Sequence, residues 1–295
     1  MNLSNFGMDS ITLAGPLESK LAASKAVGFS QIMLWAKDLA SHPGGLDEAV
    51  RLVKASGVRV TGLQVMRDFE GLSGALHEYK LDIAKNLLQM CKAVGAPLLM
   101  VCSSTSSHAS ADPALIARHL AKLATLAVPL GVRVGYEALS WGRHVNQYQQ
   151  SWEVVEMAEH ANLGVVLDSF HMLANNADLD GLQDIPSHKI ALVQLSDYMW
   201  RDIRSAEERL ETARHLRVFP GEGTHAPELS DFLRRLDGAG YRGDYSFEVF
   251  NDDYLQLSPE VVARRAHASA KWVTDQVLRR SLQVRRPTAG HATME

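Results

Sequence analysis

Short apolar runs rich in β-branched residues recur at 31–35, 58–65, 97–102, 132–137, 164–168, 190–194 and 245–250, each bounded by Gly, Pro or polar clusters, and predict strands. Between them, apolar positions return at three- and four-residue spacing over 17–27, 46–55, 77–94, 113–130, 150–160 and 226–239, and predict helices. With 6–13 as an opening strand, eight strands alternate with helices. Gly28, Gly57, Gly95, Gly131 and Gly240 each fall between a helix and the next strand, the place of a left-handed helix-ending residue. The alternation predicts an α/β fold. A doubly wound open sheet would share it, but no GxGxxG opens a helix, and eight units favour closure into one (β/α)8 TIM barrel over residues 1–280. The stretch 196–224 is long for a loop in such a barrel, and long loops tend to carry function. Beyond it, the basic, Pro-containing end of the chain predicts a disordered tail over 281–295.

Composition narrows the partners. Of 295 residues, 46% are apolar and 22% charged, enough for one large core. A net charge of -4 with interspersed signs leaves no electrostatic footprint for nucleic acid, so a small molecule is the expected partner. Residues 1–10 lack the pattern of a signal peptide, and no apolar run approaches the roughly 18 residues of a membrane helix, so we expect a cytoplasmic protein with no membrane partner. Cys91 and Cys102, without CxxC spacing, read as buried thiols. The choice between a monomer and a homo-oligomer stays open.

In a barrel, residues at the carboxyl ends of strands face the active site. Strands five to eight end in, or carry, Glu137, Asp168, Gln194 and Glu248. Each follows an apolar run, and burying an ionised carboxylate unpaired costs several kcal/mol, so a cation must compensate. An all-oxygen donor set suits one divalent Mg²⁺ or Mn²⁺, with Co²⁺ as a substitute. Otherwise each carboxylate must meet its own buried Arg or Lys. His171 follows Asp168 by one helical turn and is the first candidate for general base, with a loop carbonyl as its ordinary alternative partner. His144, in the loop after strand five, is the reserve candidate. Arg67, directly after strand three, can hold a carboxylate through two parallel hydrogen bonds unless Asp68 or Glu70 takes it. Arg217, in the long loop, is a second anion clamp or a surface arginine.

These residues lie in stretches that resemble bacterial 3-dehydroshikimate dehydratases, a family within the xylose isomerase-like barrels: LQVMRDFEGL (63–72), YEALSWGRHVN (136–146), LDSFH (167–171), VQLSD (193–197), RHLRVFPGEG (214–223) and FEVFND (247–252). The resemblance implies Glu137, Asp168, Gln194 and Glu248 as metal ligands, His171 as catalytic, and Arg67 and Arg217 as substrate contacts, with His144 inside a matching motif. It implies dehydration of 3-dehydroshikimate to protocatechuate, as in quinate and shikimate breakdown. Met33 stands where relatives carry an acidic residue, and Ala213 where they carry serine. Some relatives also have a C-terminal dioxygenase-like domain, and the resemblance here is to the single-domain form. The nearest rival is a keto-sugar or inosose isomerase, epimerase or dehydratase, which would need no arginine for a carboxylate. A barrel that binds ligand without catalysis is the other. Endonuclease relatives need a histidine-rich zinc cluster and a basic surface, which these strand ends do not supply.

Overall fold

The computed structural model describes residues 3–278, and in it eight parallel strands close into a barrel in chain order. They are β1 (Phe6–Asp9), β2 (Gln31–Trp35), β3 (Arg59–Met66), β4 (Leu98–Cys102), β5 (Arg133–Glu137), β6 (Leu163–Asp168), β7 (Ile190–Leu195) and β8 (Tyr245–Phe247). Met8 pairs with Ile32 on one side and Phe247 on the other, which closes the sheet. Around it stand α1 (Leu17–Ala26), α2 (Ala36–Ala40), α3 (Gly45–Ser56), α4 (Gly74–Val94), α5 (Pro113–Ala127), α6 (Tyr148–Met157), α7 (Ser169–Ala174), α8 (Ala206–His215), α9 (Ala226–Gly238) and α10 (Pro259–Trp272). All five helix-ending glycines take positive φ; at Gly57 (φ 71) and Gly95 (φ 73) the residue is itself the helix cap, where a Cβ would be strained.

The structure departs from the sequence pattern at both ends of the barrel seam. Residues 6–13 are not one strand: β1 stops at Asp9 and a 3-10 turn (Ser10–Thr12) follows. There the Thr12 hydroxyl donates to Phe247 O and accepts from Val249 N, taking the bond that would have extended β8. The segment 245–250 is accordingly a strand only to Phe247. The long loop contains α8, opened by a Ser205/Glu208 capping box. The expected tail at 281–295 lies outside the described residues.

The sheet packs outward against the helices through one large apolar core, and a smaller cluster that includes Met33, Leu98, Met100, Val166 and Leu192 fills the barrel. Strand side chains alternate between these faces. Extending the inward series to the carboxyl ends gives a ring of Asp9, Trp35, Gln64, Cys102, Glu137, Asp168, Gln194 and Glu248, and the apolar plug forms its floor.

Candidate active site

Above the floor lies a cavity of about 550 Å³ whose walls include Trp35, Arg67, Trp141, His171, Glu137 and Glu248. A cavity of about 630 Å³ between α7 and α9 lies off this ring, and the arginines in its wall, Arg201 and Arg235, are already paired with carboxylates.

The ring holds four buried carboxylates, Asp9, Glu137, Asp168 and Glu248, and one fully buried guanidinium, Arg217 at 2% exposure. Asp168 Oδ1 accepts from Phe170 N at 2.7 Å, capping α7. That cap turns His171 back over the ring. His171 Nε2 lies 3.7 Å from Asp168 Oδ2 and 3.8 Å from Glu137 Oε1, too far for hydrogen bonds. Glu137, Asp168 and His171 bring their polar atoms within 4.8 Å of one another, so a divalent cation held by the two carboxylates would lie beside the imidazole.

Two oxygens support the fit of an ion. Glu137 Oε1 and Gln194 Oε1 are buried without any hydrogen-bond partner, while their sister atoms are occupied: Cys102 Sγ donates to Glu137 Oε2 at 2.9 Å, and Gln194 Nε2 donates to Asp9 Oδ2 at 2.7 Å. An orphaned buried acceptor costs about 1–3 kcal/mol, which a cation would offset. Electrostatics agrees. Burial first, then the neighbouring Glu248 and Asp168, push the Glu137 carboxyl well above its ordinary range, and burial lifts Glu248 to about 7 against the opposing pull of Arg217. The carboxylates crowd beyond what one guanidinium balances.

Arg217 is not at the surface: it is buried in the cavity wall, with Nη1 and Nε committed to the protein. Its Nη1 donates to Asp168 Oδ2 at 2.7 Å, Glu248 Oε2 at 3.1 Å and Ser196 Oγ at 3.2 Å, and its Nε donates to Ala213 O at 2.9 Å. The guanidinium also lies over the Phe170 ring at 4.5 Å. Two of the four expected ligands thus do meet a buried arginine, and the other two do not. Arg67 behaves oppositely. It is exposed at the cavity wall, and among the described residues its guanidinium forms no hydrogen bond or ion pair. Neither neighbour takes it: Asp68 Oδ1 accepts from Thr105 N at 2.8 Å, and Glu70 Oε1 accepts from Ser104 N at 2.5 Å and from the Tyr136 hydroxyl at 3.0 Å.

Burial lowers His171 to about 3, Asp168 opposing, so the imidazole is neutral. Its Nδ1 accepts from Ser140 N at 3.2 Å, and Ser140 Oγ lies at 3.1 Å. Trp141 packs edge-on against the ring at 5.1 Å. His144 is not brought to the cavity: its Nε2 bonds Ala109 O at 2.9 Å and ties two loops together. Met33 sits in the floor. Sequence reasoning missed Asp9 and Gln64, and alternation along β1 and β3 was the signal that finds them.

No helix among the described residues is long and apolar enough to cross a membrane. Among known proteins, the chain is 39% identical over 244 residues to a 3-dehydroshikimate dehydratase of Pseudomonas aeruginosa, a match covering 83% of this chain and 38% of that protein, so the chain spans well under half the length of this relative. An inosose isomerase of Halalkalibacterium halodurans is 25% identical over 225 residues, 75% of this chain and 77% of that protein. A solved fusion of a xylose isomerase-like TIM barrel with a 4-hydroxyphenylpyruvate dioxygenase superposes with a TM-score of 0.88 at 34% identity, covering 98% of this chain and 46% of that one. The model of the xylose isomerase-like TIM barrels matches residues 21–275. This chain therefore belongs to the xylose isomerase-like TIM barrel family.

Proposed function

We propose that this chain is a metal-dependent hydro-lyase that converts 3-dehydroshikimate to protocatechuate and water, with residues 1–280 as its catalytic unit. The observation that carries this reading is the buried Glu137, Asp168 and His171 cluster beside an uncommitted Arg67, in a chain similar over most of its length to a protein of that activity. Glu137, Asp168, Gln194 and Glu248 would hold one Mg²⁺ or Mn²⁺, with Co²⁺ as a substitute. Bound there, the ion supplies Lewis acidity to the substrate ketone and adjacent hydroxyl.

The residues of the chain do the rest. Arg67 grips the substrate carboxylate with two parallel hydrogen bonds, which sets the ring against the cavity floor. Arg217 holds Asp168 and Glu248 in place through Nη1. His171 takes the proton from the carbon beside the ketone and returns it to the departing hydroxyl, so water leaves and tautomerisation of the ketone aromatises the ring. For that step Nε2 must carry the lone pair and Nδ1 the proton, so the bond that Nδ1 accepts from Ser140 N in this structure would give way to donation from Nδ1 to Ser140 Oγ. The two buried free thiols, Cys91 and Cys102, fit a reducing cytoplasmic setting.

The similarity to an inosose isomerase supports a second reading, a neutral polyol ketone as substrate. Arg67 separates the two, because a neutral substrate gives that guanidinium nothing to hold. Metal-loaded protein incubated with 3-dehydroshikimate should develop the ultraviolet spectrum of a catechol acid. No spectral change, together with turnover of an inosose, would replace the first reading by the second.

A further inference from the structure

We propose that Asp9 is a positioning residue that fixes the Gln194 amide so that its oxygen, not its nitrogen, faces the metal position; this rests on the metal-site reading above. A glutamine amide ligates a cation only one way round, and its two orientations have nearly the same shape. Here Nε2 of Gln194 lies 2.7 Å from Asp9 Oδ2 and 3.5 Å from Gln64 Oε1, and Oε1 is buried with no partner. Reversing the amide would set its oxygen against Asp9 Oδ2, which already accepts from Gln64, and would move the NH₂ to where the unpartnered Oε1 now lies. Asp9 cannot easily turn aside: the Ser246 hydroxyl donates to Oδ1, and Gln64 Nε2 donates to Oδ2 at 3.2 Å. Side chains from β1, β3, β7 and β8 thus close a hydrogen-bonded group across the barrel. Asp9 is itself 0% exposed, and burial, then the neighbouring Glu248, push its carboxyl well above the ordinary range, while its hydrogen-bond partners are all neutral.

The experiment is calorimetric titration of Mn²⁺ into demetallated, substrate-free protein, with melting temperatures taken alongside. Asp9→Asn is isosteric and removes a buried acid, so the metal-free variant should melt at or above wild type while Mn²⁺ affinity falls about 10- to 100-fold, the usual effect of losing a ligand's outer partner. Gln194→Glu adds a carboxylate to the ligand set but sets it against Asp9, and should also weaken binding at least about tenfold. Combining the two exchanges donor and acceptor, and should recover affinity to within about threefold of wild type. Unchanged affinity in Asp9→Asn, a lowered metal-free melting temperature with unchanged affinity, or tighter binding in Gln194→Glu overturns the proposal. The Gln194→Glu arm decides alone should Asp9→Asn not fold. Glu137→Gln is the control: if it leaves Mn²⁺ binding untouched, the metal-site reading itself has failed, and the Asp9 proposal falls with it.

Discussion

Arg217 and Arg67 stand on opposite halves of the barrel and show how one residue type serves two ends. On the β5 to β8 side, Arg217 is buried at 2% exposure and spends its guanidinium on Asp168, Glu248, Ser196 and a backbone carbonyl. On the β1 to β4 side, Arg67 is exposed, and its acidic neighbours Asp68 and Glu70 accept from the loop after β4 and do not pair with it. A charge paired with buried carboxylates builds a site, and a charge left unpaired at a cavity wall is available to recognise a ligand. The difference lies in packing, not in residue type.

Substitutions on both sides test that division. The largest effect is expected at the junction of the halves: His171→Ala should retain metal while turnover falls about 10²–10⁴-fold, the usual loss for a general base. A fast His171→Ala beside a dead His144→Ala would move proton transfer to the loop histidine. Next, Arg217→Ala should destabilise the metal-free protein by about 3–5 kcal/mol in urea unfolding, because two buried carboxylates lose their cation. Arg67→Ala should leave unfolding unchanged and cost about 2–4 kcal/mol in kcat/KM for a carboxylate substrate, with Arg67→Lys only partly restoring it. If Arg217→Ala instead raised KM with no loss of stability, the contrast between the two arginines would collapse.

The smallest effect concerns the support under Arg67. Burial raises Glu70 to about 7, against the hydrogen bonds from Ser104 and Tyr136. The folded state therefore holds this proton more tightly than the unfolded chain, so Glu70 lowers stability as pH rises from about 4.5 to 7, by up to about 3 kcal/mol in the limit. Glu70→Gln does not titrate. Its melting temperature relative to wild type should climb between pH 5 and pH 8, and a difference independent of pH would show that Glu70 stays ionised in the fold.

The alternation of strands and helices was legible because each apolar run had its own boundary residues, and the helix-ending glycines marked the repeats. Glu137, Asp168 and Gln194 could be read for the same reason: each closes an apolar run, where a polar residue stands out. Asp9 did not stand out, because the apolar residues after it, Ile11 and Leu13, made 6–13 look like one strand, and only the Thr12 hydroxyl, bonding across to β8, shows why the strand ends early. Arg217 was picked out as an anion clamp, but its pairing with Asp168 and Glu248 escaped for a different reason. Its partners come from β6, β8 and the segment after β7, and no local pattern in a long loop reports contacts so distant in sequence. His144 shows the converse: a motif can place a residue near a site while the fold gives it to a loop carbonyl.

The division of the barrel stands or falls on where a cation binds. Crystals of this protein soaked in Mn²⁺ and measured at the manganese absorption edge should show one anomalous peak per chain, within ligand distance of Glu137 Oε1, Gln194 Oε1, Asp168 and Glu248, with Arg67 still uncoordinated across the cavity. A peak elsewhere, or none at that position at saturating Mn²⁺, would contradict it.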